Sequence, residues 1–196
     1  MCVVDVMTGL GFSDPPANPS APVAPLGKLD VDPVLMNALI AGTQRGLSMT
    51  RASMVAVGAS RITTARHPIT VMLGVVGHHS GNIALNLSEL AALSLATGLF
   101  GEPQKEFDDN VVDAVMELGN MVTGAIKVEL ASTDYAVSHI SLPSLILGPA
   151  YSMVHARGIQ TVSVEFELPD LPFSTMNARF FSSTVSLLRG SGARSW

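Results

Sequence analysis

The spacing of hydrophobic positions along the chain changes several times, and each change predicts a different element. The first block has the period of a helix, and Asp32-Pro33 before it is typical of an N-cap followed by proline in the first turn. We expect this helix to run to about Thr50. Its apolar positions are Val34, Leu35, Leu39, Ile40 and Leu47.

From residue 53 to residue 87 the pattern becomes alternating and β-branched, with glycine and proline between the runs, which predicts strands and tight turns. Ser88-Glu89 then opens a short helix rich in alanine and leucine, expected to end at the glycine-bounded break 98–101. The strands predicted before this helix lie in 54–57, 69–73 and 82–85. Three further strands are predicted at 138–147, 161–168 and 179–188.

The strongest helical pattern begins at Asp108 or Asp109 and ends near Ala131. Acidic residues gather at its start, where the helix dipole favours them. The order helix, strands, two helices, strands is typical of the α+β class, with a largely antiparallel sheet packed against a few helices. One apolar stripe of this long helix is expected to face the core, and its members are Val112, Val115, Leu118, Val122, Ala125 and Ile126.

A polar row lies on another face of the same helix. Asp113, Glu117 and Asn120 stand at i, i+4 and i+7, and Gly124 continues the row without a side chain. Such a row is most often a solvated face. Two observations favour a function: asparagine and glycine inside a helix cost about 0.5–1 kcal/mol each relative to alanine, and Pro143 interrupts a strand-like run, which places that run at a sheet edge or bulge.

Composition narrows the class of protein. Of the 196 residues, 47% are hydrophobic and 14% charged, so the chain can bury a sizeable core in one domain. A net charge of −5 and 5% aromatic residues argue against a nucleic-acid partner. Signal-peptide and membrane-spanning patterns are lacking, and Cys2 is the single cysteine, so we expect a cytoplasmic protein. The expected organisation is a proline- and alanine-rich leader over 1–27, a domain over 28–189 and a frayed tail over 190–196.

The polar row and Pro143 together resemble the signature of a known family. The spacing Asp113-x3-Glu117-x2-Asn120, followed after twenty-two residues by Pro143, resembles that of the CheC, CheX and FliY chemotaxis phosphatases. The surrounding ELGNMVTGAIK is similar to the E-x-x-N helix of that family, and the resemblance covers roughly residues 29–188. A single such centre resembles CheX more than CheC. The proline-rich leader has no counterpart in the family core.

The resemblance implies an enzyme that hydrolyses the phosphoaspartate of a response-regulator receiver domain such as CheY, in chemotaxis or a related two-component pathway. It implies that Glu117 pairs with the active-site lysine of the receiver. Asn120 is then the residue that orients the attacking water, because an amide both donates and accepts hydrogen bonds. Asp113 and Pro143 are expected to support this pair, and Gly124 to leave room for the partner.

The family resemblance also implies a homodimer joined through sheet edges, and no metal or cofactor on this chain, since the Mg²⁺ belongs to the receiver. A different function remains open at this point: a non-catalytic module of the flagellar-switch type that docks a receiver without hydrolysis. A third alternative is a structural dimer domain without a receiver partner. His78-His79 is expected to form a solvated turn. Partners at metal-ligand spacing are lacking for His67, His139 and His155.

Overall fold

The computed structural model describes residues 31–62, 64–149, 151–153, 157–172 and 177–188. The predicted leader and tail lie outside these residues, so the domain limits stay a prediction. The helices are α1 (Pro33–Gly46), α2 (Glu89–Phe100) and α3 (Asp109–Leu130), with a 3₁₀ turn at Ser48–Thr50. The strands are β1 (Val55–Ser60), β2 (Thr64–Ala65), β3 (Ile69–Gly77), β4 (Ser80–Leu87), β5 (Val137–Ile140), β6 (Ser144–Leu147), β7 (Tyr151–Ser152), β8 (Ile159–Glu167) and β9 (Phe180–Leu188).

Seven of the strands form one antiparallel sheet in the order β1-β8-β9-β4-β3-β5, with β6 also pairing with β3. Strands β2 and β7 form a separate two-stranded sheet. The β3–β4 connection consists of residues 78–79 and is too short for a parallel crossover, so this pair is antiparallel. Strands β8 and β9 also pair antiparallel. The α+β class with a largely antiparallel sheet is therefore confirmed.

The helices cover one face of the sheet and enclose the core. Alternate residues of β3, namely Val71, Leu73 and Val75, are buried on that face. Helix α3 packs on β3, and helix α1 packs along α3. The contact between the two helices is close because α1 presents glycines there: a Cβ on Gly42 would lie 2.5 Å from a side-chain carbon of Ile126. Helix α3 is thereby held between the sheet and α1.

Several predicted elements differ in detail from the observed ones. Helix α1 ends at Gly46 and is followed by the 3₁₀ turn, in which the Thr50 hydroxyl donates to the carbonyl of Leu47 at 2.7 Å. Helix α2 continues through Gly98, which lies against the Thr50 carbonyl, and ends at Phe100, where it is capped by Gly101, whose φ of +78° suits glycine. The predicted strand 138–147 is two strands, β5 and β6.

The stripe that α3 buries is shifted from the predicted one by part of a turn. Val112 and Ala125 are only half-buried, whereas Val115, Leu118, Val122 and Ile126 are buried as predicted. Val111 and Ala114 are buried as well, because α3 is covered on two sides, by the sheet and by α1. Periodicity locates the apolar side of a helix but not the width that its neighbours cover.

Candidate functional site

Helix α3 holds the polar row (Asp113, Glu117, Asn120 and Gly124) on its solvent side. The helix begins where predicted, with the Asp108 carboxylate accepting a 3.0 Å hydrogen bond from the backbone N–H of Val111. Its apolar stripe faces the sheet and α1, so the opposite side faces outward. The side chains of Asp113, Glu117 and Asn120 are all exposed there. One helix face therefore displays two carboxylates and one amide in line.

The polar groups of the row are free to meet a partner. Among the described residues, no hydrogen bond or ion pair engages the side chain of Asp113, Glu117 or Asn120. Other charged residues of the chain do have partners; Glu129, on α3 itself, pairs with Arg45 at 2.8 Å. The carboxylates and the amide of the row therefore form no hydrogen bond or ion pair within the described residues that would stabilise the fold.

The two glycines near the row have opposite surroundings. A Cβ on Gly119 would lie 2.5 Å from Cγ1 of Val71, so this glycine lets α3 approach the sheet. A Cβ on Gly124 would meet nothing within 4 Å. Packing within the chain therefore explains Gly119 and leaves Gly124 unexplained. At Gly124 the surface of the helix is bare backbone, which another molecule can approach closely.

Pro143 lies in a break, residues 141–143, between the edge strands β5 and β6. Both strands pair with β3, through Ile140 opposite Val75 and Ser144 opposite Met72. Ser141 fastens the break to β3, because its N–H donates to the Gly74 carbonyl at 2.9 Å and its Oγ accepts from the Gly74 N–H at 2.8 Å. Proline lacks the N–H that a continuous ladder needs. The prediction that proline marks a sheet edge is confirmed.

The break and the polar row lie on the same flank of α3. Lys127, seven residues after Asn120, continues the row by two turns, and its Nζ donates a 2.7 Å hydrogen bond to the Ser138 carbonyl on β5. Eight residues before Lys127, Gly119 rests on Val71, whose neighbour across the ladder is Leu145 of β6. The side of α3 that carries Asn120 thus faces the edge of the sheet that contains Pro143.

The row is an open surface rather than a pocket. The main recesses of the described residues have volumes of about 200–400 Å³, and none of the four has a member of the row in its lining. Small-molecule sites are usually concave. An exposed helix face with unpaired polar groups is better suited to a macromolecular partner.

Other candidate groups do not form a centre of their own. The described residues contain no cluster of three or more His, Cys, Asp and Glu side chains placed to hold a metal ion. His79 lies in the turn between β3 and β4, with its Nδ1 3.1 Å from the Leu188 carbonyl oxygen and its ring beside Tyr135. In the part of the chain that is described, no helix combines the length and apolarity needed to cross a bilayer.

Ser141 and Leu142 belong to this flank but have no distinguishing signal in the sequence. They stand in the apolar run before Pro143, where Leu142 reads as a core position of a strand. In the structure Leu142 is 87% exposed. Only the register of β5 and β6 against β3 shows that the chain leaves the ladder at this point.

One protein-family model and several solved structures match this chain. The family model described as "Chemotaxis phosphatase CheX" matches residues 69–167. No curated protein matches the chain. Among solved structures, a CheC-like superfamily protein from Shewanella sp. PV-4 has a TM-score of 0.66 at 19% identity, covering 80% of this chain and 99% of its own.

Two further solved structures are similar over most of their length. The chemotaxis protein CheX from Vibrio vulnificus has a TM-score of 0.64 at 21% identity, covering 78% of this chain and 98% of its own. The CheX-CheY-BeF3-Mg²⁺ complex from Borrelia burgdorferi contains a chain with a TM-score of 0.59 at 20% identity, covering 82% of this chain and 99% of its own. At these identities the likeness concerns the fold.

Proposed function

The chain belongs to the chemotaxis phosphatase CheX family, and from this membership we propose that it hydrolyses the phosphoaspartate of a CheY-like receiver domain. The observation that carries the proposal is the polar row: Glu117 and Asn120 are exposed on one face of α3, without partners among the described residues. The complex of a similar chain with CheY supports a receiver as the partner. This activity belongs to a chemotaxis or related two-component pathway, in the cytoplasm.

The reaction is the attack of water on the phosphorus of an acyl phosphate. The bond between phosphorus and the aspartyl oxygen breaks, the products are the aspartate carboxylate and inorganic phosphate, and the proton of the water passes to phosphate or solvent. Such a displacement needs little covalent help from the protein and depends on a water held in line with the leaving oxygen. Asn120 provides that alignment, because its amide oxygen accepts from the water and its amide nitrogen donates to it or to a phosphoryl oxygen.

Glu117 holds the complex in register. Its carboxylate, one turn before Asn120 on the same face, binds the ammonium group of the receiver's active-site lysine. A lysine of this kind lies next to the phosphoryl group, so the ion pair places Asn120 at the phosphorus. Helix α3 packs against the sheet and α1, and the helix sets the spacing of these two backbone positions before the receiver binds.

The remaining members of the row and the break shape the contact. Asp113 extends the acidic side of the row by one turn, and Gly124 leaves the helix backbone open to the partner. Pro143 keeps the edge of the sheet from accepting a further strand next to the row. In this proposal the chain itself holds no metal, since the Mg²⁺ is bound by the receiver. Assembly into a homodimer through sheet edges stays a prediction.

The test is the rate of phosphoryl loss from purified receiver domains of the source organism, measured with the wild-type chain, with Asn120→Ala and with Asn37→Ala. Asn37 is exposed and lies on helix α1, away from the face of α3 that carries the row, so it is a matched control. We expect wild type and Asn37→Ala to accelerate the loss equally, and Asn120→Ala to reduce kcat by about a hundredfold or more while still binding. Binding without acceleration by the wild type would identify a docking module instead.

A further inference from the structure

Leu142 is the most exposed of the large hydrophobic side chains in the described residues, at 87%. The apolar residues on either side of the break are less exposed, since Ile140 and Leu145 pack against the core. The chain thus leaves the core between these two residues. A leucine presented in this way is accessible to a partner, because nothing within the described chain covers it.

The segment that carries Leu142 is held firmly. Ser141 Oγ accepts from the Gly74 N–H and lies 2.8 Å from the Leu142 carbonyl oxygen, to which it donates. Pro143 follows directly and restricts the backbone on the other side. The strands β5 and β6 anchor both ends to β3. Little backbone freedom remains to be lost when a partner contacts Leu142, which favours binding.

The position of Leu142 connects it with the polar row. The break faces the flank of α3 that carries Asn120, and Lys127 ties this flank to β5 through its bond to the Ser138 carbonyl. We propose that Leu142 is an apolar anchor of the receiver-binding surface, contacting an apolar patch of the receiver while Glu117 and Asn120 engage its phosphorylated site. This inference rests on the proposed function and adds a specificity-determining residue outside the row.

A receiver fits this position better than a second copy of the chain. A second copy joined by strand pairing needs a continuous edge, and the edge is interrupted at Pro143, which has no N–H to donate. The row beside the break offers acidic and amide groups without partners, which suit a lysine-bearing site. An apolar anchor beside a charged contact is the usual arrangement of a protein interface, where a few buried side chains carry most of the affinity.

The experiment compares Leu142→Ala and Leu142→Asp with wild type in receiver dephosphorylation under steady-state conditions. Ile62→Ala is the matched control, because Ile62 is 69% exposed and lines the cleft with Ser182 on the face of the sheet opposite the helices. We expect KM to rise about tenfold for Leu142→Ala and further for Leu142→Asp, with kcat unchanged, and Ile62→Ala to behave as wild type. Equal KM values for wild type and Leu142→Asp would overturn the inference.

A second measurement separates this inference from the proposed function. The dissociation constant of the receiver loaded with BeF3 is measured for wild type, Leu142→Asp and Asn120→Ala, and the mass of each in solution is measured by light scattering. Weaker binding by Leu142→Asp alone supports the anchor, even where the wild type accelerates no dephosphorylation. An unchanged dissociation constant overturns it, and so does a fall in mass from dimer to monomer, which would assign Leu142 to contact between copies.

Discussion

The hydroxyl group of Tyr135 donates a 2.6 Å hydrogen bond to the carboxylate of Asp32. The same carboxylate caps α1 by accepting from the backbone N–H groups of Val34 and Leu35, and it accepts a 2.8 Å bond from the side-chain amide of Gln160. One side chain thereby joins the start of α1, the turn after α3 and strand β8. Burial alone raises the pKa of Asp32, but these four hydrogen bonds outweigh it and lower the pKa below its ordinary value of 3.8.

Asp32 should make the stability of the fold dependent on acid. A carboxylate whose pKa is lower in the folded state stabilises the fold above its unfolded pKa, near 3.8, and the contribution is lost as the pH falls through the lower folded value. We expect Asp32→Ala to lower the free energy of unfolding at pH 7 by about 0.5–2 kcal/mol and to flatten its acid dependence. Urea unfolding at pH 7 and below pH 4 checks this. Asp134→Asn, an exposed carboxylate, is the control and should behave as wild type.

His67 should also make the fold less stable as the pH falls, but in a higher pH range than Asp32. Burial, and next the positive charge of Arg66, lower the pKa of His67 below its ordinary value of 6.5. A histidine whose folded pKa is lowered stabilises the fold above 6.5, and stability falls as the pH drops from there toward the folded pKa. Thermal melting of wild type should therefore shift downward between pH 7 and pH 5, and His67→Gln should remove part of that shift.

His139→Gln serves as the control for this measurement. His139 is exposed on the edge strand β5, so this variant tests whether the effect depends on the buried position of His67 rather than on the loss of any histidine. An identical pH dependence for wild type and His67→Gln would contradict the prediction, whatever the absolute melting temperatures.

Substitutions at two glycines of α3, Gly119 and Gly124, should separate the effect on stability from the effect on receiver binding. Gly124→Ala adds a methyl group to open space and removes a poor helix former, so the free energy of unfolding should rise by about 0.4–1 kcal/mol. In the proposed complex the receiver approaches this backbone, so its binding should weaken. Gly119→Ala should instead destabilise the fold by about 1–3 kcal/mol, since its Cβ meets Val71 at 2.5 Å.

Chemical denaturation and receiver titration on the two variants check this pair of expectations. A Gly124→Ala variant that is more stable and binds the receiver as tightly as wild type would show that the open space at Gly124 does not serve the partner.

Glu117→Gln tests the ion pair. The substitution keeps the size of the side chain and removes its charge, so KM should rise about tenfold or more while kcat falls less. The dependence of KM on salt concentration should also decrease, because a charge-charge attraction is screened by ions. Glu102→Gln, an exposed residue outside the row, should change neither quantity. An unchanged salt dependence in Glu117→Gln would argue against a lysine partner.

The parts of this fold that sequence predicts well are those decided by local chemistry. Asp32 and Ser88 accept hydrogen bonds from the backbone of the helical turn that follows each of them. The first residues of α1 and α2 can therefore be predicted from a few neighbouring residues. The α3 limits follow in the same way from Asp108 and the apolar period. Pro143 at an edge follows from the N–H that proline lacks.

The parts that sequence does not predict depend on partners distant in the chain. Gly42 and Gly119 are glycines because α1, α3 and β3 approach one another closely, and no local pattern contains that approach. The interruption of the run 138–147 depends on Ser141 reaching Gly74, 67 residues earlier. The roles of the row were expected from the family resemblance, and the structure adds that its polar groups are exposed and that Gly124 has open space.

The break between β5 and β6 also bears on how copies of this chain can associate. An uninterrupted edge strand is a template on which further chains can add, in ordered dimers or in aggregates. Here the edge next to β3 offers only two four-residue segments separated by Pro143, which limits any intermolecular ladder at this side. The opposite edge, β1, is six residues long and contains no proline. A dimer that extends the sheet should therefore form through β1, leaving the edge beside the polar row clear in both copies.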